Sequence, residues 1–144
     1  MDYCCIQQRH TYLEPGMHAD FGTQMVLTPE IEKFCKSKRL SAMAYSPLLG
    51  GAYVSKKPLI PVQYQRVGNE YRLVKLKHVA EELQVNVNAV VLAWMMQSST
   101  KVIPLVTGSS VDQLEENFQA YSIKLSDNHF TLLNQSMDQP ESYL

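Results

Sequence analysis

What most constrains this chain is the spacing of three short apolar runs, Tyr3-Cys4-Cys5-Ile6-Gln7, Ser41-Ala42-Met43-Ala44-Tyr45 and Lys101-Val102-Ile103-Pro104-Leu105-Val106. Each is brief and bounded by polar or turn-forming residues, which reads as a buried strand. Between and after them apolar residues recur at helical spacing, so the order is strand–helix–strand–helix–helix–strand–helix–helix. Short apolar strands that alternate with helices imply a parallel α/β sheet. Three parallel strands cannot close a barrel, and an open sheet leaves two edges of unpaired backbone groups. A chain that starts directly on a buried strand therefore reads as a barrel cut in two.

The helix starts are marked by their caps. Thr28-Pro29-Glu30 combines an N-cap threonine, a proline at the first helical position and an acid in the first turn. Ile31, Phe34 and Cys35 follow as an apolar stripe, and Lys36, Lys38 and Arg39 suit the negative end of the dipole. A long loop is expected over 46–70, holding Gly50-Gly51, Pro58 and Pro61; loops of that length are often functional. Leu76, Val79, Ala80 and Leu83 form the next stripe, and Val87, Val90, Val91, Trp94 and Met95 the one after it, with Asn86-Val87-Asn88 between them supplying a cap. Ser110 with Gln113 makes a capping box for a helix carrying Leu114, Asn117 and Phe118. A last helix opens at Ser126-Asp127.

The 144 residues allow one domain, taken as 1–137 with a frayed tail over 138–144. A formal net charge of −1 argues against a partner held through bulk charge, so nucleic acid and membrane surfaces are not expected. No apolar run approaches the length of a bilayer span, and the first residues lack a basic stretch followed by an apolar one, so neither a membrane helix nor a signal peptide is expected. The three cysteines, Cys4, Cys5 and Cys35, are odd in number and lack CxxC spacing, which fits reduced, buried thiols in a cytoplasmic protein. His10, His18, His78 and His129 show neither HExxH nor Cys/His ligand spacing, so no metal site is expected.

The residues closing the three apolar runs are more specific. Ile6-Gln7-Gln8-Arg9-His10-Thr11-Tyr12-Leu13 ends the first and Ala44-Tyr45-Ser46-Pro47-Leu48 ends the second. Gly108-Ser109-Ser110, then Leu114-Glu115-Glu116-Asn117, follow the third, which Ala93-Trp94 precedes. In this order and spacing they resemble the C-terminal half of the aldo-keto reductase superfamily. That family folds as a (β/α)8 barrel without a glycine fingerprint for dinucleotides, and no GxGxxG occurs in this chain. The resemblance implies a partial TIM barrel whose three parallel strands stand for the sixth, seventh and eighth, with functional groups at their carboxyl ends.

By that resemblance the ligand is a nicotinamide dinucleotide, NADPH or NADH. Gln7 looks like the residue that bonds the nicotinamide carboxamide, and Tyr45 like the ring that stacks on the nicotinamide. Ser46, Leu48 and the turn at Gly50 look like the segment along the pyrophosphate. Gly108, Ser109, Ser110 and Gln113 resemble the loop that meets the adenosine 2′-phosphate, and Glu116 and Asn117 the pair that contacts the adenine. Val106 and Thr107 depart from a frequent proline, then glycine or lysine, and Gln113 stands where arginine is common. A neutral Gln113 forgoes the charge-assisted contact that favours NADPH over NADH.

The family's tyrosine, lysine, aspartate and histidine come from earlier strands, and none of the eight tyrosines here has the catalytic context, so no catalytic residue is assigned. The expectation is the cofactor-binding half of a carbonyl reductase, inactive alone. The alternatives are a self-associating half-barrel that forms a homo-oligomer, and a fragment complementing a separate N-terminal half.

Plainer readings stand beside these. Tyr45 alone would be a rim aromatic, and Glu115-Glu116 would be first-turn acids suited to the dipole. Trp94, Met95 and Met96 read as helix packing, and His78 and His129 as solvated helix residues. Strand alternation sends only one of Gln7 and Gln8 inward, and the spacing to His10 favours Gln7.

Overall fold

The computed structural model describes residues 3–55 and 60–135. Its elements run β1 (Cys5–Arg9), α1 (Pro29–Lys38), β2 (Ser41–Tyr45), α2 (Val67–Glu82), α3 (Val87–Gln97), β3 (Val102–Pro104), α4 (Val111–Phe118) and α5 (Asp127–Asn134), with single 3-10 turns at Leu49–Gly51, Val62–Tyr64 and Gln119–Tyr121. The strands form one parallel sheet in the order β1-β2-β3. The α/β order and the open three-stranded sheet are those expected.

The register sorts the sheet into two unlike faces. Ile6, Ala42 and Val102 lie side by side, as do Gln8, Ala44 and Pro104. These positions face the helices, and Ala42, Ala44 and Val102 are buried. The intervening row, Gln7, Met43 and Ile103, falls on the other face, which no described helix covers. There Gln7 is exposed, and Ile103 is 49% exposed.

The core lies between sheet and helices. α3 carries buried Ala89, Val90, Val91, Leu92, Ala93 and Met95, so it is apolar nearly all round rather than along the single expected stripe. Such a helix is buried from several sides, here by β3, α2 and α4. Leu76, Val79 and Ala80 of α2 are sealed as their spacing predicts. In α1 only Cys35 of the expected stripe is fully buried, and Phe34 stays 51% exposed.

Caps hold where they are expected. The Thr28 hydroxyl accepts from the Ile31 amide at 3.4 Å, Asn86 Oδ1 from the Asn88 amide at 2.8 Å, and Ser110 Oγ from the Gln113 amide at 3.3 Å. Ser126 caps α5 in a full capping box whose third residue is His129: Ser126 Oγ accepts from the His129 amide, and Nδ1 accepts from the Ser126 amide, each at 3.2 Å. His129 is therefore buried and engaged, not solvated, and its Nε2 lies 3.2 Å from Glu82 Oε1. His78 is exposed, as expected.

Other expectations need correcting. β3 is shorter than the run Lys101–Val106: the Leu105 amide still donates to Ala44 O at 3.0 Å, but the partner strand β2 ends at Tyr45. β1 sits two residues later than Tyr3–Gln7. Cys4 and Cys5 are exposed rather than buried, since Cys5 belongs to the uncovered face at the start of an edge strand; Cys35 alone is buried. The loop ends at residue 66, and 3-10 turns interrupt it. Pro58 and the tail over 138–144 lie outside the described residues. The outer edge of β1 is partly paired: the Arg9 amide donates to Met25 O and the Leu27 amide to Arg9 O, both at 2.9 Å.

Candidate functional site

The carboxyl ends of the three strands point the same way, and the candidate residues collect there. Gln7 and Tyr45 share the uncovered face on neighbouring strands, with Gln7 beside Met43 and Arg9 beside Tyr45. Gln8 lies on the helix side, and Gln7 is exposed on the uncovered face. Tyr45 is 38% exposed, with the Arg9 guanidinium 5.4 Å from its ring centroid.

Beyond Tyr45 the backbone turns sharply. Ser46 and Leu49 hold φ of 55° and 50°, and Gly50 and Gly51 follow with φ of 65° and 87°. Left-handed conformation at two non-glycine residues costs energy that the surroundings must offset. They do so with a relay: the Thr11 hydroxyl donates to Pro47 O at 2.6 Å, the Tyr53 phenol donates to Thr11 at 2.6 Å, and the Leu13 amide donates to Tyr53 at 3.2 Å. Burial pushes the Tyr53 phenol far above its ordinary value, so it keeps its proton and the relay its direction. The loop after β2 is thereby pinned to the segment after β1. At Gly50 and Gly51 nothing lies within 4 Å of where a Cβ would stand, so their backbone is open to a ligand. Leu48 is half-buried against the core.

The turn after β3 is more committed to its own helix. Ser110 Oγ accepts from the Gln113 amide and caps α4, but Gln113 Oε1 accepts from the Ser109 amide at 2.8 Å rather than from that of Ser110, so the expected capping box is only half formed. Asp112 adds a carboxylate in the first turn. Gly108 packs against Leu114, whose Cγ would lie 2.8 Å from a Cβ at that position. Glu116 accepts from Asn86 Nδ2 at 3.1 Å and lies on the surface. Asn117 is buried and lines a cavity of about 40 Å³ with Leu92, Met96, Pro104 and Phe118. Glu116 and Asn117 thus point to different surroundings, whereas Gln7, Tyr45 and the Ser46–Gly50 turn come together.

Sequence reasoning passed over Arg9. Its Nε and Nη2 both reach Gln24 Oε1, at 3.1 and 2.8 Å, and its guanidinium lies 4.9 Å from the Phe21 ring centroid and 5.4 Å from that of Tyr45. Burial raises the Tyr64 phenol, and a hydrogen bond from Arg9 pulls against that. Two-residue alternation from Gln7 would have placed Arg9 on the same face. Thr11 and Tyr53 carried no comparable signal, since their partnership spans two loops. Among the described residues, no cluster of His, Cys, Asp or Glu could hold a metal ion, and no helix is long and apolar enough to cross a membrane.

The model of the Aldo/keto reductase family matches residues 6–138. The chain belongs to the aldo/keto reductase family. Among curated relatives, it is 26% identical over 129 residues to aldo-keto reductase yakc [NADP(+)] of Schizosaccharomyces pombe, covering 78% of this chain and 38% of that protein. It is 30% identical over 103 residues to norsolorinic acid reductase stcV of Emericella nidulans, covering 68% and 27%. A crystal structure of an aldo-keto reductase from Klebsiella pneumoniae in complex with NADPH matches with TM-score 0.61 at 18% identity, covering 90% of this chain and 38% of that one. A thermostable aldo-keto reductase, Tm1743, matches with TM-score 0.55 at 24% identity, covering 72% and 32%. The structural likenesses carry the fold: the sheet and its helices are a portion of the family's (β/α)8 barrel. The chain spans roughly a third of the length of these aldo/keto reductases.

Proposed function

We propose that this chain is the dinucleotide-binding portion of an NAD(P)H-dependent aldehyde or ketone reductase. The observation that carries the reading is the pairing of Gln7 and Tyr45 on one uncovered sheet face, beside a turn whose glycine backbone is open. These residues fit the group: an amide for the carboxamide, a ring for stacking, and open backbone at Gly50–Gly51 for the pyrophosphate. A bound dinucleotide would supply hydride to a carbonyl carbon. Gln7 would fix which edge of the nicotinamide is held, Tyr45 which face is free, and Met43 and Ile103 would keep water from its underside. The strands would take the sixth to eighth places of the barrel, with 1–137 as the domain and 138–144 as a tail. The proton donor would lie outside this chain. Free thiols at Cys4, Cys5 and Cys35 support a reducing, cytoplasmic setting.

Cofactor choice follows from α4. With Ser110 capping α4, Gln113 bonded to the Ser109 amide and Asp112 in the first turn, the 2′-phosphate meets no positive charge there. The chain is therefore expected to favour NADPH over NADH only weakly.

A fluorescence titration with NADPH tests the reading. Tyr45→Ala should weaken binding about tenfold, the worth of one lost stack. Gln113→Arg should raise the preference for NADPH over NADH about tenfold through a charge-assisted contact. The wild-type chain should show no turnover against a broad aldehyde panel. Binding indifferent to Tyr45→Ala, or turnover clearly above background, would overturn the reading.

A second reading, a self-associating half-barrel, has the exposed Ile103 and the uncovered sheet face in its favour. A chain that stays monomeric in light scattering at micromolar concentration would count against it.

A further inference from the structure

Arg9 is held in an unusual way for a cation. Its guanidinium lies between the Phe21 and Tyr45 rings, and Gln24, a neutral amide, takes two of its N–H groups. No carboxylate among the described residues lies within 4.0 Å of it. Glu14, which lines the same cleft, is taken by Arg66 and Arg72, and Glu32, also on that cleft, forms no ion pair with Arg9. The charge is thus fixed and half-buried without an acid to offset it, and it sits beside the ring proposed to stack on nicotinamide.

We infer that Arg9 makes this site discriminate between the two redox states of a nicotinamide dinucleotide, favouring the reduced form. The inference rests on the function proposed above. A reduced nicotinamide ring is neutral, whereas the oxidised ring carries a positive charge. A ring stacked on Tyr45 with centroids about 5 Å apart lies within about 10 Å of the guanidinium, which is no more than a Debye length at ordinary ionic strength. Arg9 therefore repels the oxidised ring and leaves the neutral one nearly untouched. Its anchoring by Gln24 and Phe21 keeps the charge from swinging away to solvent. The group acts by charge at a distance and is a specificity-determining residue, with no bond made or broken at it.

The test compares the dissociation constants of NADPH and NADP+ for the full chain, one by fluorescence and one by calorimetry. The wild-type chain should bind NADPH more tightly. Arg9→Gln should lower the ratio of the NADP+ constant to the NADPH constant about fivefold, the scale of one screened charge at this distance. Arg9→Lys, which keeps the charge, should retain most of the wild-type ratio. A ratio in Arg9→Gln within about twofold of wild type overturns this inference alone, because both forms still bind. If neither form binds the wild-type chain, or if Tyr45→Ala leaves both constants unchanged, the functional reading falls and takes the inference with it.

Discussion

Arg72→Met should destabilise the chain by about 3 kcal/mol, lowering its thermal midpoint by roughly 10 °C. Arg72 is buried on α2, where its Nε and Nη2 donate to Tyr12 O at 3.0 and 2.7 Å and its Nη1 to Glu14 Oε1 at 3.2 Å. Its guanidinium also lies 4.4 Å from the Tyr12 ring centroid. Tyr12 in turn is a hub: its phenol donates to Leu133 O of α5 at 3.0 Å and its ring meets Trp94 of α3 edge-on at 5.3 Å. Methionine fills much of the same volume, so the loss isolates the donors and the charge rather than a cavity. The buried Tyr12 carbonyl would be left without its partner, and that is the costly part. Glu14 should matter less, because it is partly exposed and Arg66 still pairs with it at 3.1 Å. Urea unfolding reads both effects. A loss below about 1 kcal/mol for Arg72→Met, or an equal loss for Glu14→Gln, would contradict this ordering.

The starts of α1, α3, α4 and α5 were legible because a cap is local, whereas that of α2, which has no side-chain cap, was not. Thr28, Asn86, Ser110 and Ser126 each bond an amide two or three residues on, so residue type and spacing were enough. Ser41–Tyr45 was legible to the residue because it is the central strand, a short apolar run paired on both sides, although only Ala42 and Ala44 are buried. Features set by distant partners were not. The exposure of Cys4 and Cys5 depends on β1 lying at an edge, and the length of β3 depends on what its ladder can pair with after Pro104. His129 escaped because the residue that usually completes a capping box is Glu or Gln.

The candidate site divides along the same line. Gln7 and Tyr45 could be named because strand alternation and a distinctive Tyr-Ser-Pro-Leu run place them together. What holds them in place, the relay through Thr11 and Tyr53 and the clamp of Arg72 on Tyr12, joins residues far apart in sequence and leaves no local pattern. The loop after β3 shows the reverse case. Its Ser110 and Gln113 were legible as a cap and also as phosphate contacts, and their side chains are engaged by amides of the turn and of α4 itself.

His10 supplies a second large expected effect, on the dependence of stability on pH. Its ring stacks on Trp94 at 5.7 Å with an interplanar angle of 18°, in a cleft of about 270 Å³ also lined by Arg9, Arg72, Glu14 and Glu32. Burial lowers its pKa from the ordinary 6.5 to about 4. A depressed histidine is neutral in the folded chain while the unfolded chain still takes up the proton. Between those two values the unfolded state therefore holds more protons, and stability must rise with pH. The contribution is complete above about pH 6.5 and is lost as pH falls toward 4; the full loss is on the order of 3 kcal/mol at most, at 1.36 kcal/mol per unit. Carboxylates titrate in the lower part of the same window, so the measurement has to be a difference. His10→Phe keeps a flat ring against Trp94 but cannot be protonated, and all other groups are common to both proteins. Unfolding free energies of the two should converge or cross as pH is lowered from 7 to 4, with the wild type losing more. Parallel curves across that window would mean that the His10 ring is protonated as readily in the folded chain as in the unfolded one.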